Sequence, residues 1–142
     1  MSKTMMEYIL EAKGRINEVD LDKAQELMQS GYRILDVREP GEYLAAAIPG
    51  AINIPRGVLE PAADLEYAGA NPALRDHRED PWVVVCKSGG RAALATDILQ
   101  QMGFSKVVNM VGGMDAWLAA GKETEMPSTE NSTVVLKEPC VV

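Results

Sequence analysis

Histidine occurs once, phenylalanine once and cysteine twice in 142 residues, and basic residues are outnumbered 14 to 21. Each shortage excludes something. The single histidine, His77, lies in the charged stretch RDHRED at 75–80, where a solvated surface residue is expected. With two cysteines it falls short of a zinc ligand set, so no metal and no cofactor is expected. It also offers no Cys–His catalytic pair. Two cysteines, Cys86 and Cys140, are too few for a disulfide scaffold. A formal charge of −7 argues against nucleic acid as the main partner, because phosphate binding needs a basic surface. No apolar run approaches the roughly 20 residues that span a bilayer. The first fifteen residues, MSKTMMEYILEAKGR, contain Glu7 and Glu11 and do not read as a signal peptide. The expected setting is therefore a reduced cytoplasm, without a membrane partner, where a thiol stays a thiol.

What is present suits one folded domain, with 46% hydrophobic and 25% charged residues. Met5, Met6, Ile9 and Leu10 fall at helical spacing, which predicts a short amphipathic helix within residues 1–14. A strand is expected at 15–19, then Asp20 as the cap of a helix that stops at Gly31. RILDV at 33–37 reads as a strand, followed by a short helix near 42–47. A second strand at 51–54 is fenced by Pro49-Gly50 and Pro55. Residues 56–80 show no sustained period; one helix near 61–68 and then a surface loop are expected.

WVVV at 82–85 is a compact apolar run that ends directly at Cys86, as suits a strand buried on both faces. A helix follows the segment CKSGGR, with Leu94, Ala95, Ile98, Leu99 and Met102 on one face and Gly103 as its stop. A strand at 106–110 and a helix at 114–120 complete the pattern. Strands alternating with helices predict an α/β domain over 15–122, with a mostly parallel sheet of about five strands and helices on both faces. From 123 onward the composition turns polar, and 123–142 reads as a tail. Its last segment, VVLKEPCVV, is either loose or an added edge strand.

The chemistry is concentrated in Cys86-Lys87-Ser88-Gly89-Gly90-Arg91. In open parallel sheets, ligands bind beyond the carboxyl ends of the strands, which is where Cys86 falls. Gly89 and Gly90 let backbone N–H groups turn inward as an anion nest, and the next helix aims its positive end at the same spot. Lys87 and Arg91 add positive charge. All four features favour the thiolate, the form of cysteine that acts as a nucleophile. Without that loop, a cysteine after an apolar strand would read as a small buried hydrophobe.

The loop and its Ala-rich helix resemble the active-site loop of rhodanese domains. LDVREPGEYLAAAIPGAINIP at 35–55 and VNMVGGMDAWLAAG at 108–121 resemble two further signatures of that family, in the right order. The resemblance spans roughly residues 15–122 and implies a three-layer rhodanese-like fold. It also implies sulfur transfer: Cys86 takes a sulfur atom from a small anionic donor such as thiosulfate, forms a persulfide, and passes it to cyanide or a thiol. A sulfur-accepting protein is a further acceptor to expect. In that scheme the N–H groups of Ser88–Arg91 stabilise the persulfide, Lys87 attracts the donor and Ser88 donates to sulfur. Arg91 either orients the donor or pins the loop through a carboxylate. Arg56 is a weaker candidate for the pocket rim. Asp36, Arg38 and Glu42 are expected to be architectural, with Arg38 and Glu42 pairing four residues apart. Ala46-Ala47 stand where the family usually has Gly-His, a departure that removes no expected nucleophile or base.

Two other functions compete. Related Cys-loop-Arg phosphatases and arsenate reductases use a loop one residue longer, so the shorter loop here favours sulfur over phosphate. A persulfide carrier or interaction module for a partner protein is the third reading. Cys140 is a candidate resolving thiol only if the tail folds back. Neither the helix at 1–14 nor the tail carries an assigned function, and oligomeric state is left open.

Overall fold

The computed structural model describes residues 2–128. The expectations for Cys140 and for an edge strand in the last nine residues lie outside them. Five parallel strands form one sheet in the order β1-β5-β4-β2-β3. They are β1 (Asn17–Val19), β2 (Arg33–Asp36), β3 (Ile52–Asn53), β4 (Pro81–Val85) and β5 (Lys106–Met110). The helices are α1 (Met5–Lys13), α2 (Leu21–Gln29), α3 (Pro40–Ala45), α4 (Leu59–Ala63), α5 (Pro72–Arg75), α6 (Gly90–Gln101) and α7 (Gly113–Ala119). This is the α/β architecture the alternating pattern predicts.

β4 shows why both faces are covered. Side chains alternate along a strand, so Trp82, Val84 and Cys86 enter one core with Leu99 and Phe104. Val83 and Val85 enter the other, with Tyr43, Met110, Met114 and Trp117. A continuous apolar run is the sequence such a strand needs.

The helix starts follow local chemistry. Thr4 and Glu7 make a reciprocal capping box on α1, and the Asp20 carboxylate accepts the Lys23 N–H on α2. The expected surface loop after residue 68 contains a single helical turn instead, α5. Asn71 caps it and Pro72 opens it, which is enough for four residues but too short to show a period. The helix expected near 61–68 is confined to Leu59–Ala63, after a 3₁₀ turn at Arg56–Val58. Just beyond the domain's last helix, Glu125 pairs its backbone with Ala47 in an antiparallel bridge.

The chain leaves β2 toward one edge of the sheet and leaves β4 toward the other. The crevice between the carboxyl ends of β2 and β4 is therefore the topological switch point, where open α/β sheets place ligands. Cys86 follows β4 there, and Val37 donates its N–H to the Val85 carbonyl at 2.9 Å.

Candidate active site

Cys86 is almost fully buried, yet it lines a half-open cavity of about 370 Å³. Its Sγ accepts the backbone N–H of Gly89 at 3.0 Å. Gly89 has φ +113°, a left-handed conformation that turns this N–H back onto the sulfur and that a residue with a Cβ rarely adopts. The next residue starts α6, twelve residues long, so the positive end of a full helix faces the same sulfur. Of the loop N–H groups expected around the sulfur, that of Gly89 donates to it.

A second glycine holds the loop from below. Gly113, at φ +58°, packs so closely under it that an added Cβ would lie 2.5 Å from the Cys86 carbonyl oxygen and 2.6 Å from that of Lys87. These carbonyls accept the N–H groups of Met114 and Asp115 at 2.8 and 2.9 Å. The start of α7 is therefore a clamp on the Cys86 loop. Gly112-Gly113 was visible in the sequence as a motif, but nothing there said what it touches. Asn109 was missed entirely. Its Nδ2 donates to Glu18 at 2.8 Å and to the Gly89 carbonyl at 3.4 Å, tying β1 and β5 to the loop.

The charged residues sort differently from expectation. Arg38 and Glu42 do not pair. Arg38 folds back on Asp36 with Nε–O distances of 3.0 and 3.1 Å and an Nη2–O distance of 2.7 Å, and its Nη2 also donates to the Ala46 carbonyl. Glu42 instead receives both terminal nitrogens of Arg91, at 2.9 and 3.1 Å, across 49 residues of sequence. The reason is reach: Asp36 ends β2 beneath Arg38, while Glu42, at the third position of α3, faces the start of α6. The Arg91 guanidinium holds the Glu42 carboxyl down at about 2, helped by the Glu39 backbone N–H. Arg91 in turn is raised, chiefly by Glu42.

Arg91 thus pins the loop while still lining the cavity, as Ser88, Gly89 and Gly90 do. Lys87 points away to Asp115 at 3.1 Å and is not among the lining residues. Arg56 pairs with Glu60 at 2.9 Å and does not line the cavity either. His77 binds Asp80 at 2.7 Å and is not among the lining residues. The remaining wall is α1, through Met5, Met6, Ile9 and Lys13. No group of three or more His, Cys, Asp or Glu able to hold a metal occurs among the described residues, and no described helix is long and apolar enough to cross a membrane.

Fold and site define a class: parallel α/β domains that present a cysteine at the switch point inside a short loop running into a helix. Within it, residues 20–120 match the family model for the rhodanese-like domain, and the chain belongs to that family. It is 34% identical over 114 residues to thiosulfate sulfurtransferase 16, chloroplastic, of Arabidopsis thaliana, covering 77% of this chain and 92% of that one. It is 34% identical over 108 residues to the thiosulfate:glutathione sulfurtransferase of Homo sapiens, covering 70% and 91%. A Bacillus subtilis relative named as a sulfur carrier protein is 34% identical, but the match spans only 56% of its length and 78% of this chain. Among solved structures, a Rhodopseudomonas palustris protein of unknown function, described as a possible tyrosine phosphatase, superposes with a TM-score of 0.81. It is 31% identical, and the match covers 88% of this chain and 96% of that one.

Proposed function

We propose that this rhodanese-like sulfurtransferase domain carries sulfur on Cys86. The observation that carries the reading is the Gly89 N–H on Cys86 Sγ at 3.0 Å, at the head of α6. The Cys86 thiolate attacks the outer sulfur of thiosulfate. The new S–S bond forms as the donor's S–S bond breaks and sulfite leaves. Cyanide or a thiol then takes the outer sulfur and restores the thiolate, a covalent two-step route. Gly89 steadies the sulfur, Gly90 and Ser88 shape the nest, and Arg91 fixes the loop against Glu42. A thiol acceptor is supported by the human relative's name, and carriage to a protein acceptor by the Bacillus relative's. We assign a reducing setting such as the cytoplasm, because the nucleophile must be a free thiol. The site needs no cofactor for this chemistry.

The phosphatase reading rests on the description of one structural neighbour. Against it stands the loop, five positions from Cys86 to Arg91, one short of the phosphate-cradling kind. Intact-mass measurement after thiosulfate tests the choice. Wild type is expected to gain one sulfur atom and Cys86→Ser none. Phosphate ester hydrolysis without sulfur uptake would overturn the proposal.

A further inference from the structure

The wall that α1 supplies has no part in the sulfur chemistry just described. It is held firmly: Arg15, just past α1, makes a two-pronged pair with Asp97 of α6 at 3.0 and 2.7 Å. Ile9 is buried, with its Cδ1 so near the Gly90 backbone that a Cβ there would lie 3.0 Å away. Lys13 binds Glu18 at 2.7 Å, and Glu18 accepts from Asn109, which reaches the Gly89 carbonyl. The helix is thus tied to the loop through a chain of hydrogen bonds.

Apart from Lys13, what it presents to the cavity is apolar. Met5 and Met6 line it yet remain 70% and 54% exposed, large hydrophobic groups left facing water beside the sulfur. Both cations in the lining are already matched by carboxylates, Lys13 by Glu18 and Arg91 by Glu42. A small dianion would find N–H groups but no unmatched side-chain cation in that lining. A cavity of about 370 Å³ falls in the range that accepts organic ligands, about 300–1,000 Å³. Methionine suits a wall that must fit flexible apolar groups.

We infer that α1 is a specificity element: Met5, Met6 and Ile9 bind the apolar body of an organic thiol that accepts sulfur from Cys86. The inference rests on the sulfurtransferase reading. The acceptor thiolate attacks the outer sulfur of the Cys86 persulfide and forms a new S–S bond. The Sγ–S bond breaks, its electron pair returns to Sγ, and the proton that the acceptor thiol gave up ends on the transferred sulfur.

The test uses the full chain, loaded with sulfur from thiosulfate or polysulfide. Rate constants for unloading by mercaptoethanol, mercaptobutanol and mercaptohexanol are read by intact mass. These thiols differ in methylene count and little in thiol acidity. A rise of about tenfold from the shortest to the longest is expected, as partial burial of four methylenes implies. In Met5→Gln/Met6→Gln the dependence should flatten to about twofold. Leu10→Gln, on the same helix, 60% exposed and outside the lining, should keep the wild-type dependence. A loaded wild type with no chain-length dependence, or equal flattening by Leu10→Gln, overturns this inference and leaves sulfur transfer standing. Failure to load Cys86 from either donor overturns both.

Discussion

Two arginine–carboxylate pairs meet at the segment 36–42, and they do different jobs. Asp36–Arg38 is local and deep, with side chains 0% and 7% exposed. Glu42–Arg91 joins α3 to the head of α6 and is about a third exposed, at 33% and 36%. The charge chemistry is alike in both; approach, depth and span are not, since Arg38 binds side-on through Nε and Nη2 and Arg91 end-on through both terminal nitrogens. A buried charge stripped of its partner is costly, whereas a half-wet pair adds little to folding. The deep pair therefore fixes the end of β2, and the shallow one fixes the Cys86 loop. The lesson is that an ion pair's role here follows from where its second member comes from.

The sharpest way to separate the two is to break the deep pair. Arg38→Ala leaves Asp36 buried without its partner, and is expected to cost about 3–5 kcal/mol in urea unfolding. Whatever fraction stays folded should still load sulfur at close to the wild-type rate. If loading fails in the folded fraction, the two pairs are not separable.

Next comes the shallow pair. Glu42→Gln is expected to slow sulfur loading about tenfold. Its stability loss, discounted for exposure to water, is about 1 kcal/mol. Arg91→Ala should give a similar defect, and the double variant should be little worse than either single one. Additive defects would give Arg91 a direct role toward the donor instead.

The same pair should fade with acid. The folded Glu42 carboxyl titrates at about 2, below its ordinary 4.5. A group held below its unfolded value contributes stability above that value and loses it as the pH falls through the folded one. The difference in thermal midpoint between wild type and Glu42→Gln should thus be full above about pH 4.5 and shrink toward pH 2. A constant difference across this window would show that the carboxylate charge is not what matters.

The smallest effect belongs to Lys87–Asp115, an exposed pair beside the same loop. Lys87→Ala should change stability by no more than about 0.5 kcal/mol. Loading by thiosulfate should fall less than threefold, and by less still at high salt, where exposed charges are screened.

Much of this was legible in the residues. WVVV running into Cys86 gave the strand and the place of the cysteine at its end together, because a doubly buried strand has few other compositions. CKSGGR gave the turn and the helix start, because Gly89's backbone position requires a glycine and the following apolar period requires a helix. α5 was not legible, since one turn leaves no periodicity. The partner of Arg91 was not legible either: Glu42 is 49 residues away, and Arg38, four residues before Glu42, was the nearer choice on local rules.

The sequence by itself thus determined the alternation of strands and helices, the family and the cysteine at the carboxyl edge of the sheet. These follow from local periodicity and from backbone conformations open to glycine. Tertiary structure alone decided which carboxylate holds Arg91, that Gly113 clamps the Cys86 loop, and that α1 walls the cavity. Those contacts join segments far apart in the chain, and only the assembled sheet, with its crossovers, brings them within bonding distance.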